Sequence, residues 1–212
     1  MASTAYGTGL WFYFAVQFGR PLSKFLLALF LEVFFVRVLN FEPTPNPNAM
    51  KFNVEGRLIE GGSRSFDTPS AADGDRLAAS LFALGRVTSV FYMPGFVTVN
   101  KLADADWGSL APAVARVIET VADGLTLGGN AAAALTGDDV LDRIHAVIDA
   151  QIRPALAGDG GGLEVVSLED TTLTIRYQGA CGSCPSSVAG TLSAIQNLLQ
   201  AEVDERLTVI AA

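Results

Sequence analysis

Only two cysteines and one histidine occur in this chain of 212 residues, and its 14 Lys and Arg are outnumbered by 22 Asp and Glu. Each scarcity excludes something. With a net charge of −8 and no cluster of basic residues, the chain has no surface that would release counterions from phosphates, so nucleic acid is excluded as a partner. Two neighbouring cysteines with no distant partner are not the disulfide framework of a secreted protein. They fit a reactive or metal-ligating pair in a reducing compartment. No apolar run reaches the roughly 20 residues that a membrane-spanning helix needs. The two longest, residues 10–18 and 25–39, are separated by Gly19, Arg20, Pro21 and Lys24, and the second contains Glu32 and Arg37. The first Arg stands at position 20, and the stretch Val38-Leu39-Asn40-Phe41 offers no small-residue cleavage site, so a secretory signal is not indicated either.

What is present is enough for globular structure. Half of the residues are hydrophobic and 17% are charged, and a length prior of about 150 residues per domain suggests one or two domains. Residues 1–40 are more apolar than anything after them and are set apart as an N-terminal extension. Three readings apply to it. The translation start is placed too far upstream, with Val36, Val38 or Leu39 as alternative starts; or residues 10–39 form a membrane-associated or partner-binding hairpin; or the segment targets an organelle.

Residues 41–121 read as a first domain. Pro43, Pro45 and Pro47 hold the chain extended before a strand at 49–54. Asp75 is placed to cap a helix through Leu77, Leu81, Phe82 and Leu84 that stops at Gly85. VTSVFYM and FVTVNK, joined by Pro94-Gly95, predict a β-hairpin, and Leu110, Val114, Val117, Ile118 and Val121 mark one side of a helix over 106–121. The order β, α, β, β, α predicts a small α+β domain with helices over an antiparallel sheet. Trp107 is expected to pack at its helix start, and TPNPN to be a rigid lead-in or a recognition loop. No chemistry is evident in this half.

Residues 122–137, rich in Gly and small side chains, read as a linker. A second domain follows at 138–212. A helix led by Asp138 carries Leu141, Ile144, Ile148 and Ile152 and closes near Arg153-Pro154; LEVVSL and TLTIRYQ make a second hairpin; a helix with Val188, Leu192, Ile195 and Leu199 precedes a last strand, RLTVI. The predicted order is αββαβ.

Both cysteines, Cys181 and Cys184, lie in GACGSCPSS, between the hairpin and that last helix. Pro185 suits a first helical turn. The sulfurs therefore sit where exposed amides and the positive dipole end favour thiolate, the form that binds metal. Gly179, Gly182 and Ser183 permit close approach and amide hydrogen bonds to sulfur. A C-x-x-C can be a redox dithiol, half of a zinc site or half of an iron–sulfur site. A thioredoxin-like dithiol belongs early in a βαβ unit, whereas this one follows a hairpin late in the chain. Zinc and iron–sulfur sites want four ligands. His145 reads as an ordinary helix residue, so the simplest four-thiolate site is made by two copies of the chain, each giving Cys181 and Cys184.

TPNPNAMKF at 44–52, SVFYMPGFVTVNK at 89–101 and the following Trp107 resemble the N-terminal domain of Nfu-type iron–sulfur proteins. QGACGSCPSS at 178–187, with IRPALAGDGGGLEVVSLED at 152–170 before it, is similar to the C-terminal domain of the NifU/Nfu family. The family usually has Gly-Gly-Asp where this chain has Gly160-Gly161-Gly162. The resemblance implies a non-enzymatic carrier or scaffold that binds a labile 4Fe-4S cluster, with 2Fe-2S as the alternative, through Cys181 and Cys184 at the junction of a homodimer. Its implied partners are apo iron–sulfur proteins and upstream assembly proteins. A bacterial cytoplasm is the expected location, with a mitochondrial matrix or membrane association as alternatives.

Overall fold

FVTVNK is buried at every one of its positions. A strand of an antiparallel sheet with one face in water would alternate, so this strand must be covered on both sides. The reason lies in its place in the sheet. The computed structural model describes residues 36–121, 138–183 and 185–212, with the backbone alone at 183 and 185–189. In its N-terminal half, strands β1 (Arg37–Pro43), β2 (Ala49–Glu55), β3 (Arg64–Phe66), β4 (Val87–Met93) and β5 (Phe96–Lys101) form an antiparallel sheet in the order β1-β2-β5-β4-β3. FVTVNK is β5, the central strand.

One face of the sheet packs Phe52, Val54, Val90, Tyr92, Val97 and Val99 against α1 (Arg76–Phe82) and α2 (Trp107–Val121). The expected helix signals operate. Asp75 accepts a hydrogen bond from Ala78 N at 2.9 Å to cap α1, and Asp106 accepts one from Ser109 N at 2.9 Å ahead of α2. The backbone amides of Ser109 and then Gly108 hold the Asp106 carboxyl below its usual range. Leu110, Val114 and Ile118 are buried on the predicted stripe of α2, with Val117 and Val121 packed beside them. The hairpin across Pro94-Gly95 is present as β4–β5, with Met93 opposite Phe96.

Two strands depart from the sequence expectation. β1 starts at Arg37, and Val36 is buried in the core, so the last residues assigned to the extension enter the sheet. The long apolar run before them hides that start, and as an edge strand β1 keeps most of its residues exposed and shows no clear alternation. β3 has three residues, too few to carry a period. The remainder of the extension, residues 1–35, and the linker reading of 122–137 lie outside the described residues. Among the described residues no helix is long and apolar enough to cross a membrane.

The C-terminal half follows the predicted αββαβ order. It comprises α3 (Asp139–Val147), α4 (Arg153–Gly158), β6 (Gly161–Glu169), β7 (Thr172–Gly179), α5 (Pro185–Glu202) and β8 (Thr208–Ala211). β6 and β7 are antiparallel and β8 adds to β7 in parallel, giving the order β6-β7-β8. Asp138 caps α3, accepting from Val140 N at 3.0 Å and Leu141 N at 3.3 Å. The helix expected to close near Arg153-Pro154 instead widens into a π turn at Ile148–Ile152 and resumes as α4. Pro154 has no amide hydrogen for the regular ladder, and the wider turn lets the helical path continue past it. Ile144, Ile148, Ile152, Leu163, Leu173, Ile175, Ile195, Leu199 and Val209 form a core of their own.

Candidate functional site

β7 ends at Gly179, whose φ of 65° lies in the left-handed region. Any other residue there would be strained. The chain turns at that point into a 3₁₀ turn, Ala180–Ser183, and reaches α5 at Pro185. Cys181 therefore sits where expected, between a strand end and a helix N-terminus. Its partner in the motif, Cys184, lies outside the described residues, as does the side chain of Val188.

Cys181 is half-buried and packs against the C-terminal core. The backbone of β6 makes room for it. A Cβ at Gly161 would overlap Cys181 Sγ and stand 3.0 Å from the Gln178 carbonyl oxygen, so the second glycine of the Gly-rich turn is there for the sulfur. Tyr177, two residues after Ile175 on the same face of β7, packs against that core too. Its Oη is buried with no hydrogen-bond partner among the described residues. Burial, then the nearby Cys181 charge, push its hydroxyl up to about 12. The Tyr177 hydroxyl thus stays protonated next to a site that favours thiolate.

The neighbouring glycine serves a different contact. A Cβ at Gly162 would come within 2.8 Å of Phe91 Cζ, and one at Gly179 within 2.7 Å of Phe91 Cδ1. Phe91 belongs to β4 of the other half and is wholly buried. The second face of the five-stranded sheet is thus covered by the turn and loop that lead to Cys181.

His145 is half-buried on α3, and its Nδ1 is buried without a hydrogen-bond partner among the described residues. It lines a cleft of about 340 Å³ together with Ser63, Met93, Asp149, Arg153 and Glu164. Arg153 is already engaged there, donating to Asp149 Oδ1 at 2.5 Å and to the Leu163 carbonyl at 2.7 Å. Among the described residues no three His, Cys, Asp or Glu side chains are grouped as metal ligands.

Residues 39–124 match the family model described as the N terminal of scaffold protein Nfu/NifU, and residues 144–210 match the NifU-like domain. A human protein named NFU1 iron-sulfur cluster scaffold homolog, mitochondrial, is 35% identical over 193 residues, which cover 88% of this chain and 76% of that protein. The chain belongs to the Nfu/NifU scaffold family. An Arabidopsis thaliana protein of the family, NifU-like protein 4, mitochondrial, is 35% identical over 175 residues, 77% of this chain and 62% of that one. The solution structure of a NifU-like protein from Saccharomyces cerevisiae covers 41% of this chain and 77% of its own, at 22% identity and a TM-score of 0.36. So low a score adds no argument to the sequence match.

Sequence reasoning found Asp75 and Asp138 as helix leads and the position of Cys181. It missed Phe91, Tyr177, Asn46 and Asn100 as neighbours of the cysteine loop. The one available signal was the unbroken burial implied by FVTVNK, in which Thr98 and Asn100 sit among apolar residues without an exposed face to occupy.

Proposed function

We propose that this chain is an iron–sulfur cluster carrier: Cys181 and Cys184 of two copies jointly hold a 4Fe-4S cluster as cargo and pass it to apo iron–sulfur proteins. The observation that carries the reading is Cys181 in the turn between β7 and α5, its sulfur lodged over Gly161. There the α5 N-terminus favours thiolate, and the chain's complement of two cysteines makes a second copy the simplest source of a four-thiolate ligand set. Its part is to hold and release, with no nucleophile or acid–base pair assigned to turnover. The reducing compartment that such thiols need is a bacterial cytoplasm or a mitochondrial matrix; the relatives named above are mitochondrial by name.

Anaerobic reconstitution with iron and sulfide tests this. The expected product is a dimer with broad visible charge-transfer absorption and about four irons per two chains, as four-thiolate ligation of such a cluster requires. Cys181→Ala and Cys184→Ala should each abolish both the absorption and the cluster-dependent dimer. A protein that remains monomeric, takes up no iron and reduces disulfides would instead be a thioredoxin-like dithiol oxidoreductase, and the carrier reading would be wrong.

A further inference from the structure

The residues just before Cys181 are held from the other half of the molecule. Asn46 Nδ2 donates to the Ala180 carbonyl at 3.2 Å, and Asn100 Nδ2 donates to the Gly179 carbonyl at 3.2 Å. Both asparagines are buried, at 4% and 2% exposure. Neither is a passive filler. Asn46 is fixed by its own loop, its Oδ1 accepting from Asn48 N at 3.0 Å, and Asn100 Nδ2 also reaches Ser89 Oγ at 2.6 Å. Each therefore points a pre-oriented donor at the cysteine loop.

Two further contacts grip the same region. Lys51 Nζ donates to the Ala157 carbonyl at 2.9 Å and to the Gly158 carbonyl at 3.2 Å, at the end of α4 just before the Gly-rich turn. The Phe91 ring lies against Gly162 and Gly179. The loop has its own tie as well, Ala180 N donating to the Gly160 carbonyl at 3.2 Å. Every one of these contacts falls within a few residues of Gly161 and Cys181, the pair whose close approach keeps the sulfur half-buried.

We propose that Asn46 and Asn100 are positioning residues for the cysteine loop: through the Ala180 and Gly179 carbonyls, the N-terminal half clamps Cys181 in its inward setting. Release of that clamp then precedes the sharing of the thiol with a second copy. This last consequence rests on the carrier reading, whereas the clamp is a property of the cluster-free chain.

The test therefore needs no cluster. In the full chain carrying Cys184→Ser, so that Cys181 alone reports, alkylation by iodoacetamide is timed for the parent and for Asn46→Asp, Asn100→Asp and Lys51→Met. Asn46→Asp keeps the acceptor that orders the Asn48 turn and removes the amide donor that serves the Ala180 carbonyl and, at 3.5 Å, Asn100 Oδ1; Lys51→Met keeps the stem and removes the ammonium. Alkylation should accelerate about tenfold in each Asp variant, the scale of losing a buried hydrogen bond, and about threefold in Lys51→Met, whose two bonds are part-buried and exposed. Hydrogen exchange of the β4–β5 amides should stay at the parent rate. Unchanged alkylation in Lys51→Met and in the Asp variants that remain folded would overturn the clamp. So would faster alkylation accompanied by equally faster β4–β5 exchange, since that pattern means general loosening. A carrier that loads clusters but shows no such acceleration would refute this inference alone.

Discussion

The two halves of the molecule stabilise themselves by opposite means. The N-terminal half packs one face of its sheet on its own helices and fills that interior with large side chains. At its centre, Asp75 caps α1, accepts from Arg64 at 2.7 Å and receives the Tyr92 hydroxyl. The C-terminal half has a three-stranded sheet, and around Cys181 it succeeds by leaving side chains out. Gly161 and Gly162 are missing Cβ atoms that the sulfur and the Phe91 ring would otherwise strike. The half with the satisfied polar centre carries no thiol; of the buried polar atoms without a partner among the described residues, Tyr177 Oη and His145 Nδ1 sit in the half that does, and Thr98 Oγ1 sits on β5, on the face turned to the cysteine loop. Rigidity and chemistry are thus separated between the halves, and the clamp joins them.

The contrast can be broken from either side. The largest effect is expected from Asp75→Ala, which removes the α1 cap and strands the Tyr92 hydroxyl and Arg64 guanidinium; the summed loss is about 3 kcal/mol. Denaturant unfolding should show that loss, with hydrogen exchange rising first in α1, β3 and β4. If the amides of β6 and β7 accelerate to the same degree, the two halves form one cooperative unit and the separation fails.

Gly161→Ala comes next. Because the new methyl group overlaps Cys181 Sγ, overpacking should cost about 2 kcal/mol, confined to β6, β7 and the cysteine loop when read by exchange. A fully stable variant would mean that the sulfur has room to move aside, and that the absent side chain is not what shapes the loop.

Tyr92→Phe is the finest cut. At neutral pH it removes one hydrogen bond to Asp75 and should cost about 1 kcal/mol. Burial, followed by the hydrogen bond to and charge of Asp75, raises the Tyr92 hydroxyl well above its ordinary value of 10.0. A group raised in the folded state lends stability that is complete below the unfolded pKa and is lost as pH climbs past it. The parent should therefore weaken above about pH 10 more steeply than Tyr92→Phe, in denaturation midpoints compared at neutral and alkaline pH. Parallel pH profiles would show that Tyr92 ionises as it does in the unfolded chain. A residual slope common to both proteins is expected from Tyr177, whose hydroxyl is pushed up to about 12.

Much of the site was legible because its determinants are local. Asp75 and Asp138 announce helix starts through their own side chains, and the Pro185 that opens α5 marks the cysteines as lying at a helix N-terminus. What escaped depends on pairing across long separations. Asn46 and Ala180 are 134 residues apart, and nothing near either one names the other. The Asp75–Tyr92 contact spans 17 residues and two element types, so Asp75 looked like a cap and nothing more. β1 escaped for the reverse reason: an unusually apolar stretch beside it made Arg37 and Val38 look like part of an appendage.

The Phe91 contact also bears on inheritance. A side chain at position 162 would have to displace the tip of a ring that is wholly enclosed. Glycine at 162 and phenylalanine at 91 are therefore a matched pair, and neither is free to drift alone. In any relative with a side chain at the first position, a smaller residue is expected at the second. Exchanging one without the other is a step that descent has reason to avoid.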